Sequence, residues 1–131
     1  MEAILAIAAI VLVLLLSVAA GRITVAGAAV EAAARDAARQ ASIARTAAAA
    51  KSNAEASARA SIADQSLSCT AVEVTVNTKG FSRPVGEPAD VSATVSCSVP
   101  LTDVAFPGLP GSIERRATFT SPLDPYRSRG T

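Results

Sequence analysis

From Ala3 to Gly21 the chain carries no charge, with Glu2 directly before this run and Arg22 directly after it. As a helix rising about 1.5 Å per residue, these roughly 19 residues span about 28 Å, the thickness of the hydrocarbon core of a bilayer. A chain of 131 residues has no interior that needs such a run. An acid at the head of a membrane span costs free energy in lipid, so Glu2 is expected to have a partner or a task.

Composition bounds the remainder. The chain is 50% hydrophobic but only 3% aromatic, and much of the apolar fraction is alanine, which builds a thin core. With the first segment assigned to lipid, limited burial calls for an additional staple. The formal net charge is +1, and basic residues interleave with acids, as in Glu31, Arg35, Asp36 and Arg39. That pattern gives no electrostatic basis for binding nucleic acid.

Histidine and tryptophan are absent, and the two cysteines are Cys69 and Cys97. Two cysteines beside a membrane segment point to an oxidising exterior and one disulfide; two buried free thiols in a reducing compartment are the alternative. Closing a loop of this length stabilises by roughly 3–4 kcal/mol on the chain-entropy argument.

A secretory signal has a basic start, a short apolar stretch and a small-x-small cleavage site. No Lys or Arg precedes Arg22, and the apolar run is too long, although Ser17-Val18-Ala19 and Ala19-Ala20-Gly21 offer the cleavage spacing. A secreted protein lacking its first 21 residues therefore remains an alternative to a retained helix. The retained helix is favoured because the pattern continues: Ala26 to Ala63 is a second alanine-rich tract with charges at helical spacing. Glu31–Arg35 and Glu55–Arg59 are i,i+4 pairs in the favoured order. The positive-inside rule would put Arg22, Arg35 and Arg39 in the cytoplasm, whereas the cysteines and Ser/Thr-rich strands argue for the opposite side. A basic leader standing before Met1 would reconcile the two.

Glu2 to about Arg45 reads as helix, since alanine is the best helix former and Gly21 and Gly27 cost only about 1 kcal/mol each. Thr46 is a candidate N-cap for a second helix reaching about Leu67; two helices are favoured over one rod. Gly21, Gly27, Ala28 and Ala32 set small residues at helical spacing, so that another backbone can approach closely; plain helix propensity is the simpler reading. A long helix with few large apolar side chains is expected to pack poorly on its own small domain and better among similar helices.

From Ser68 the period changes to two. Val72, Val74 and Val76 alternate with Glu73, Thr75 and Asn77, and Val91, Ala93, Val95, Cys97 and Val99 alternate with Ser92, Thr94, Ser96 and Ser98; both are half-buried strands. Lys79 to Pro88 is the connecting hairpin loop. Ile113 to Thr120 is a third strand with Ile113, Ala117 and Phe119 on one side. Between the second and third lies Pro100 to Ser112, anchored by Leu101, Val104, Phe106 and Leu109. The fold class is α+β: a long N-terminal transmembrane helix, a second helix and a three-stranded antiparallel sheet. One apolar sheet face is covered by the second helix or the C-terminal part of the first. The divisions are 1–22 as membrane segment, 23–67 as helical region, 68–121 as β domain and 122–131 as tail. Aligned valine faces put Val72 opposite Val95 or Ala93, with Cys97 facing inward and Cys69 at the helix–strand corner, so the bridge is not a simple facing pair.

Catalytic chemistry is hard to assemble. Without histidine there is no Ser–His or Cys–His nucleophile, and two cysteines make a zinc site improbable. Asp103 and Glu114 are isolated carboxylates, and Gly108 to Gly111 is a proline-punctuated turn. Arg115, Arg116, Arg127 and Arg129 read by default as a solvated strand face and tail. No enzyme activity, cofactor or small-molecule substrate is expected.

The whole resembles the type IV pilin-like proteins, and more closely the TadE-like pseudopilins, minor pilins of tight-adherence pilus systems, in their actinobacterial branch. The resemblance covers nearly the whole chain. It is carried by Glu2-Ala3-Ile4-Leu5-Ala6 opening the span, Ala20-Gly21-Arg22 closing it, and Ala32-Ala33-Ala34-Arg35-Asp36-Ala37-Ala38-Arg39 beyond. Val99-Pro100-Leu101 and Ser121-Pro122-Leu123-Asp124-Pro125-Tyr126-Arg127 follow. The family pattern includes a basic leader cut after a glycine by a prepilin peptidase, with an acid a few residues into the mature chain. Glu2 matches the acid; the leader and glycine have no counterpart in this sequence. The resemblance implies a structural or assembly-initiating subunit, single-pass in the membrane with its C-terminal domain outside. Its implied partners are other pilin-like subunits and the assembly platform. Glu2 would pair with the N-terminal amine of a neighbouring subunit. A single-pass envelope protein whose β domain binds some other partner is the alternative.

Overall fold

The computed structural model describes all residues except 105, 106 and 131; Phe106, one of the expected apolar anchors, therefore lies outside the described residues. The α+β layout expected from the sequence is present. Helix α1 is Glu2–Ile43, α2 is Ala47–Asp64, β1 is Ala71–Asn77, β2 is Ala89–Pro100, the single turn α3 is Leu101–Val104, and β3 is Ser112–Leu123.

Helix α1 has two halves with different surroundings. Over Ile4 to Val18 its large apolar side chains are exposed, and Ala19 is the first residue buried. From Ala26 onward, Ala29, Val30, Ala33, Ala34, Ala37, Ala38 and Ala41 are buried, at the three- and four-residue spacing that keeps one helix face inward. The expectation that this helix would pack poorly on its own domain is thus corrected for the second half. Alanine removes bulk between backbones, so α1 lies close to α2 on one side and to β2 and β3 on the other. The larger side chains of this core come from the strands, with Val91, Val95 and Val99 buried on β2.

The break between the helices follows from one cap. Ala44 leaves helical geometry (φ −68°, ψ 154°), and Thr46 takes an extended N-cap conformation. Its hydroxyl accepts the Ala49 N–H at 3.1 Å, satisfying one otherwise unpaired donor of the first turn. Helix α2 then buries Ala50, Ala54, Ala58 and Ile62, one residue every four. It stops in a Schellman turn: Leu67 N–H donates to Ile62 O at 3.3 Å and Ser66 N–H to Ala63 O at 3.0 Å, with Ser66 at φ 55° where glycine is usual.

The sheet has the order β1-β2-β3, antiparallel throughout. Val72 lies opposite Cys97, Val74 opposite Val95 and Val76 opposite Ala93. This corrects the expected register by two residues for a pairing of Val72 with Val95 and by four for Val72 with Ala93, even shifts that keep every side chain on the same face. β3 runs three residues beyond Thr120, its Pro122 opposite Asp90 on an edge strand, where a missing N–H breaks no ladder. On the outer face the facing hydroxyls of Thr94 and Thr118 stand 2.8 Å apart.

Cys69 and Cys97 form the disulfide, with Cα atoms 5.5 Å apart. Cys97 is fully buried on the helix-facing side of β2, while Cys69 precedes β1. The bridge is therefore diagonal and pins the α2–β1 corner to the middle of the sheet.

The C-terminal residues are not a solvated tail, contrary to expectation. Gly86 N–H donates to Pro125 O at 2.7 Å, Gly130 N–H to Arg45 O at 2.8 Å, and Ala47 N–H to Gly130 O at 3.3 Å. Arg127 Nη1 donates to Ile43 O at 3.2 Å, and Arg129 Nη2 to Glu87 O at 3.0 Å. The tail closes over the α1–α2 corner because those backbone groups, left over at helix ends and in the hairpin loop, need partners.

Candidate functional site

The candidate site is the first half of α1 and its junction with the domain. From Ile4 to Val18 every large apolar side chain is at least 46% exposed, so none of the described residues covers this stretch. The helix is long and apolar enough to cross a membrane, and the disulfide is consistent with a domain on an oxidising side.

Glu2 sits in the first turn of α1, where an acid complements the positive end of the helix dipole. Its side chain is exposed, and it makes no ion pair within 4.0 Å among the described residues. The four small residues expected at a helix-packing face separate into two groups. Gly21 and Ala28 are exposed, and a Cβ at Gly21 would meet nothing within 4 Å among the described residues. Gly27 and Ala32 are half-buried; a Cβ at Gly27 would stand 3.7 Å from the Arg115 guanidinium.

Three polar side chains, one from α1 itself and two from the domain, tie the helix down where it enters the domain. Arg22 Nη1 donates to Asp103 O at 3.2 Å, Arg115 Nη2 to Ile23 O at 3.3 Å, and Gln65 Nε2 to Ala29 O at 3.4 Å. Arg115 is opposite Cys97 on the helix-facing side of β3, so the reading of it as part of a solvated strand face is corrected. The strand alternation that placed Ile113 and Ala117 inward carried the same information for Arg115. Its neighbour Arg116 does face solvent, paired with Glu114 at 3.1 Å. One helical stretch further on, the Arg35 guanidinium lies over the Phe119 ring, 5.5 Å from its centroid, within cation–π range. The two helix-surface pairs are also formed, Glu31–Arg35 at 3.5 Å and Glu55–Arg59 at 3.0 Å.

Beside this junction runs a groove of about 680 Å³ between α1, the α2–β1 corner and α3. Val18, Val25 and Val104 form apolar wall, and Arg22, Ser66 and Asp103 bring polar groups to it. Among the described residues no cluster of three His, Cys, Asp or Glu side chains could hold a metal ion. Set against protein-family models, curated proteins and solved structures, the chain matches none.

Proposed function

We propose that the chain is a structural or assembly-initiating minor pilin-like subunit of a tight-adherence pilus, held in the membrane by α1 with its disulfide-bearing domain outside. The observation that carries this reading is one continuous helix with two environments. Its first half is bare and apolar behind a single acid, and its second half is built into a stapled α+β domain. A helix of this kind presents side chains to lipid before assembly and to other helices afterwards. Gly21 and Ala28 lie on surface that the subunit itself leaves free, as close helix–helix approach requires. Glu2, without an intramolecular ion pair among the described residues, is available to an N-terminal amine on a neighbouring subunit. In that role the subunit needs no catalytic centre; its partners are other pilin-like subunits, an assembly platform and a prepilin peptidase acting on a leader.

The test is cysteine cross-linking in the native membrane with two engineered cysteines on opposite faces of residues 4–18, together with the mass of the mature protein. Cross-linked ladders with Glu2 retained are expected. A mature mass lacking the first 21 residues would overturn the reading.

A second reading, a single-pass envelope protein whose domain binds another partner, is favoured by one observation. At the end of α1 remote from Glu2, Tyr126 is 90%, Val85 56% and Ile43 52% exposed. The hydrogen bonds of Gly86 to Pro125 and of Arg127 to Ile43 gather them. Loss of partner capture in Tyr126→Ala with ladders absent would favour it.

A further inference from the structure

We infer that the groove beside Arg22 binds the headgroup of a phospholipid that carries both a phosphate and a primary amine. The inference rests on the reading of α1 as a membrane span.

Depth comes first. The uncharged run ends at Gly21 and the groove includes Val18, Gly21, Arg22, Val25 and Ala26 along α1. Eight residues of helix rise about 12 Å. With a hydrocarbon core of about 30 Å inside a total of about 40–45 Å, each interfacial layer is roughly 5–7 Å thick. The groove therefore begins in the last turn of hydrocarbon and crosses the headgroup layer.

Its chemistry is layered in the same direction. Val18 lies on the lipid side of Arg22, where a glycerol backbone and the first methylenes would rest. At the level of the domain, Arg22 is joined by the hydroxyl-bearing residues Ser66, Ser68 and Thr102. One of the five N–H donors of Arg22 is committed to the Asp103 carbonyl, which leaves others for phosphate oxygens.

Charge complementarity selects the amine. Arg22 and Asp103 line the same groove, and the guanidinium touches the Asp103 main chain. Yet neither forms an ion pair within 4.0 Å among the described residues. A positive and a negative group held side by side without pairing match a dipolar ligand with the opposite arrangement, phosphate on Arg22 and ammonium on Asp103. An ammonium group offers three N–H donors to the carboxylate, whereas a trimethylated amine offers none. A glycerol headgroup would leave Asp103 facing net negative charge. The volume of about 680 Å³ falls in the range of small-molecule sites.

The test uses the full chain with its disulfide, in nanodiscs of phosphatidylcholine doped with phosphatidylethanolamine or phosphatidylglycerol, reading co-purified lipid by native mass spectrometry. Wild-type protein is expected to retain phosphatidylethanolamine about tenfold over either other lipid, the effect of one charge-assisted hydrogen bond. Asp103→Asn should abolish that preference, and Arg22→Gln should lower retention of all three lipids about tenfold. Both residues are exposed, and an unchanged circular dichroism spectrum checks that the variants fold. Equal retention of the three lipids by wild type, or a preference surviving in Asp103→Asn, overturns the groove assignment. A carbonate wash of vesicles of the same lipids carrying the full chain separates the two levels. Protein released by the wash overturns the span and the groove together; protein that stays but shows no lipid preference overturns the groove alone.

Discussion

The guanidinium of Arg115, on the helix-facing side of β3, donates to the main-chain carbonyl of Ile23 at 3.3 Å, joining the sheet to α1 one residue beyond Arg22. The guanidinium itself packs where Gly27 leaves room, so the side chain acts through both packing and charge. Arg115→Ala is expected to lower stability by about 1–2 kcal/mol. Arg116→Ala, which removes only an exposed pair with Glu114, should change it by no more than about 0.5 kcal/mol. Thermal unfolding of the two variants side by side is the measurement, and equal effects would contradict the inward role of Arg115.

What was legible in the sequence divides along physical lines. Periodicity is a property of consecutive residues, so the Val72–Val76 and Val91–Val99 alternations gave both strands and their inward faces. Thr46 announced its cap because capping is decided within four residues, and the two cysteines had only each other. The register, expected with Val72 opposite Val95 or Ala93 and found with it opposite Cys97, differs by two or four residues, because an even shift conserves the face and alternation alone cannot choose between such pairings. Arg115, Arg127, Arg129 and Gln65 were missed as anchors for a different reason: each grips a main-chain carbonyl, and a carbonyl has no residue signature. Spacing alone does not say whether a small residue of α1 meets another subunit or its own domain: residues 26–41 bury most of theirs inside the subunit, and of Gly21, Gly27, Ala28 and Ala32 only Gly21 and Ala28 are exposed. The groove was invisible because it joins Arg22 to Asp103 across three separate elements.

The Cys69–Cys97 bridge closes a separation of 28 residues, for which the chain-entropy argument gives about 3–4 kcal/mol. Cys69→Ala, Cys97→Ala and the double variant should each lose about that amount, since any of them opens the same loop. Denaturant midpoints of the three against the oxidised protein provide the check. A Cys97→Ala variant as unstable as the double one, with Cys69→Ala losing much less, would mean that packing at Cys97, and not the link, dominates.

Gly80 sits in the helical turn Lys79–Ser82 that follows β1. A Cβ there would collide with the Asp90 main-chain carbonyl and stand 3.1 Å from Leu123 Cδ1. Backbone cannot yield as a side-chain end can. Gly80→Ala is therefore expected to destabilise by about 1–3 kcal/mol despite its small size, with the loss read in the thermal midpoint.

Ser66 presents the opposite case. Its φ of 55° is left-handed backbone that a Cβ disfavours, and the Schellman turn there is made by main-chain bonds that glycine would keep. Ser66→Gly should raise stability by about 0.5–1 kcal/mol. A decrease would show that the Ser66 side chain contributes more than its conformation costs.

Glu2 and Gly21 separate folding from assembly. Glu2 is remote from the domain, and at Gly21, on the rim of the groove, a Cβ would meet nothing within 4 Å among the described residues. Gly21→Leu should therefore leave the domain intact and, by helix propensity alone, favour the helix by up to about 1 kcal/mol. Glu2→Ala should likewise leave the disulfide formed and the domain folded. If the helix packs among similar helices, each substitution nevertheless weakens assembly: Gly21→Leu by holding backbones apart, Glu2→Ala by removing the charge that an N-terminal amine would meet. The measurement is incorporation into surface filaments beside thermal unfolding of the same protein. Unimpaired filaments from Glu2→Ala would remove that residue from the account. Unimpaired filaments from Gly21→Leu would return the small residues of α1 to simple helix propensity.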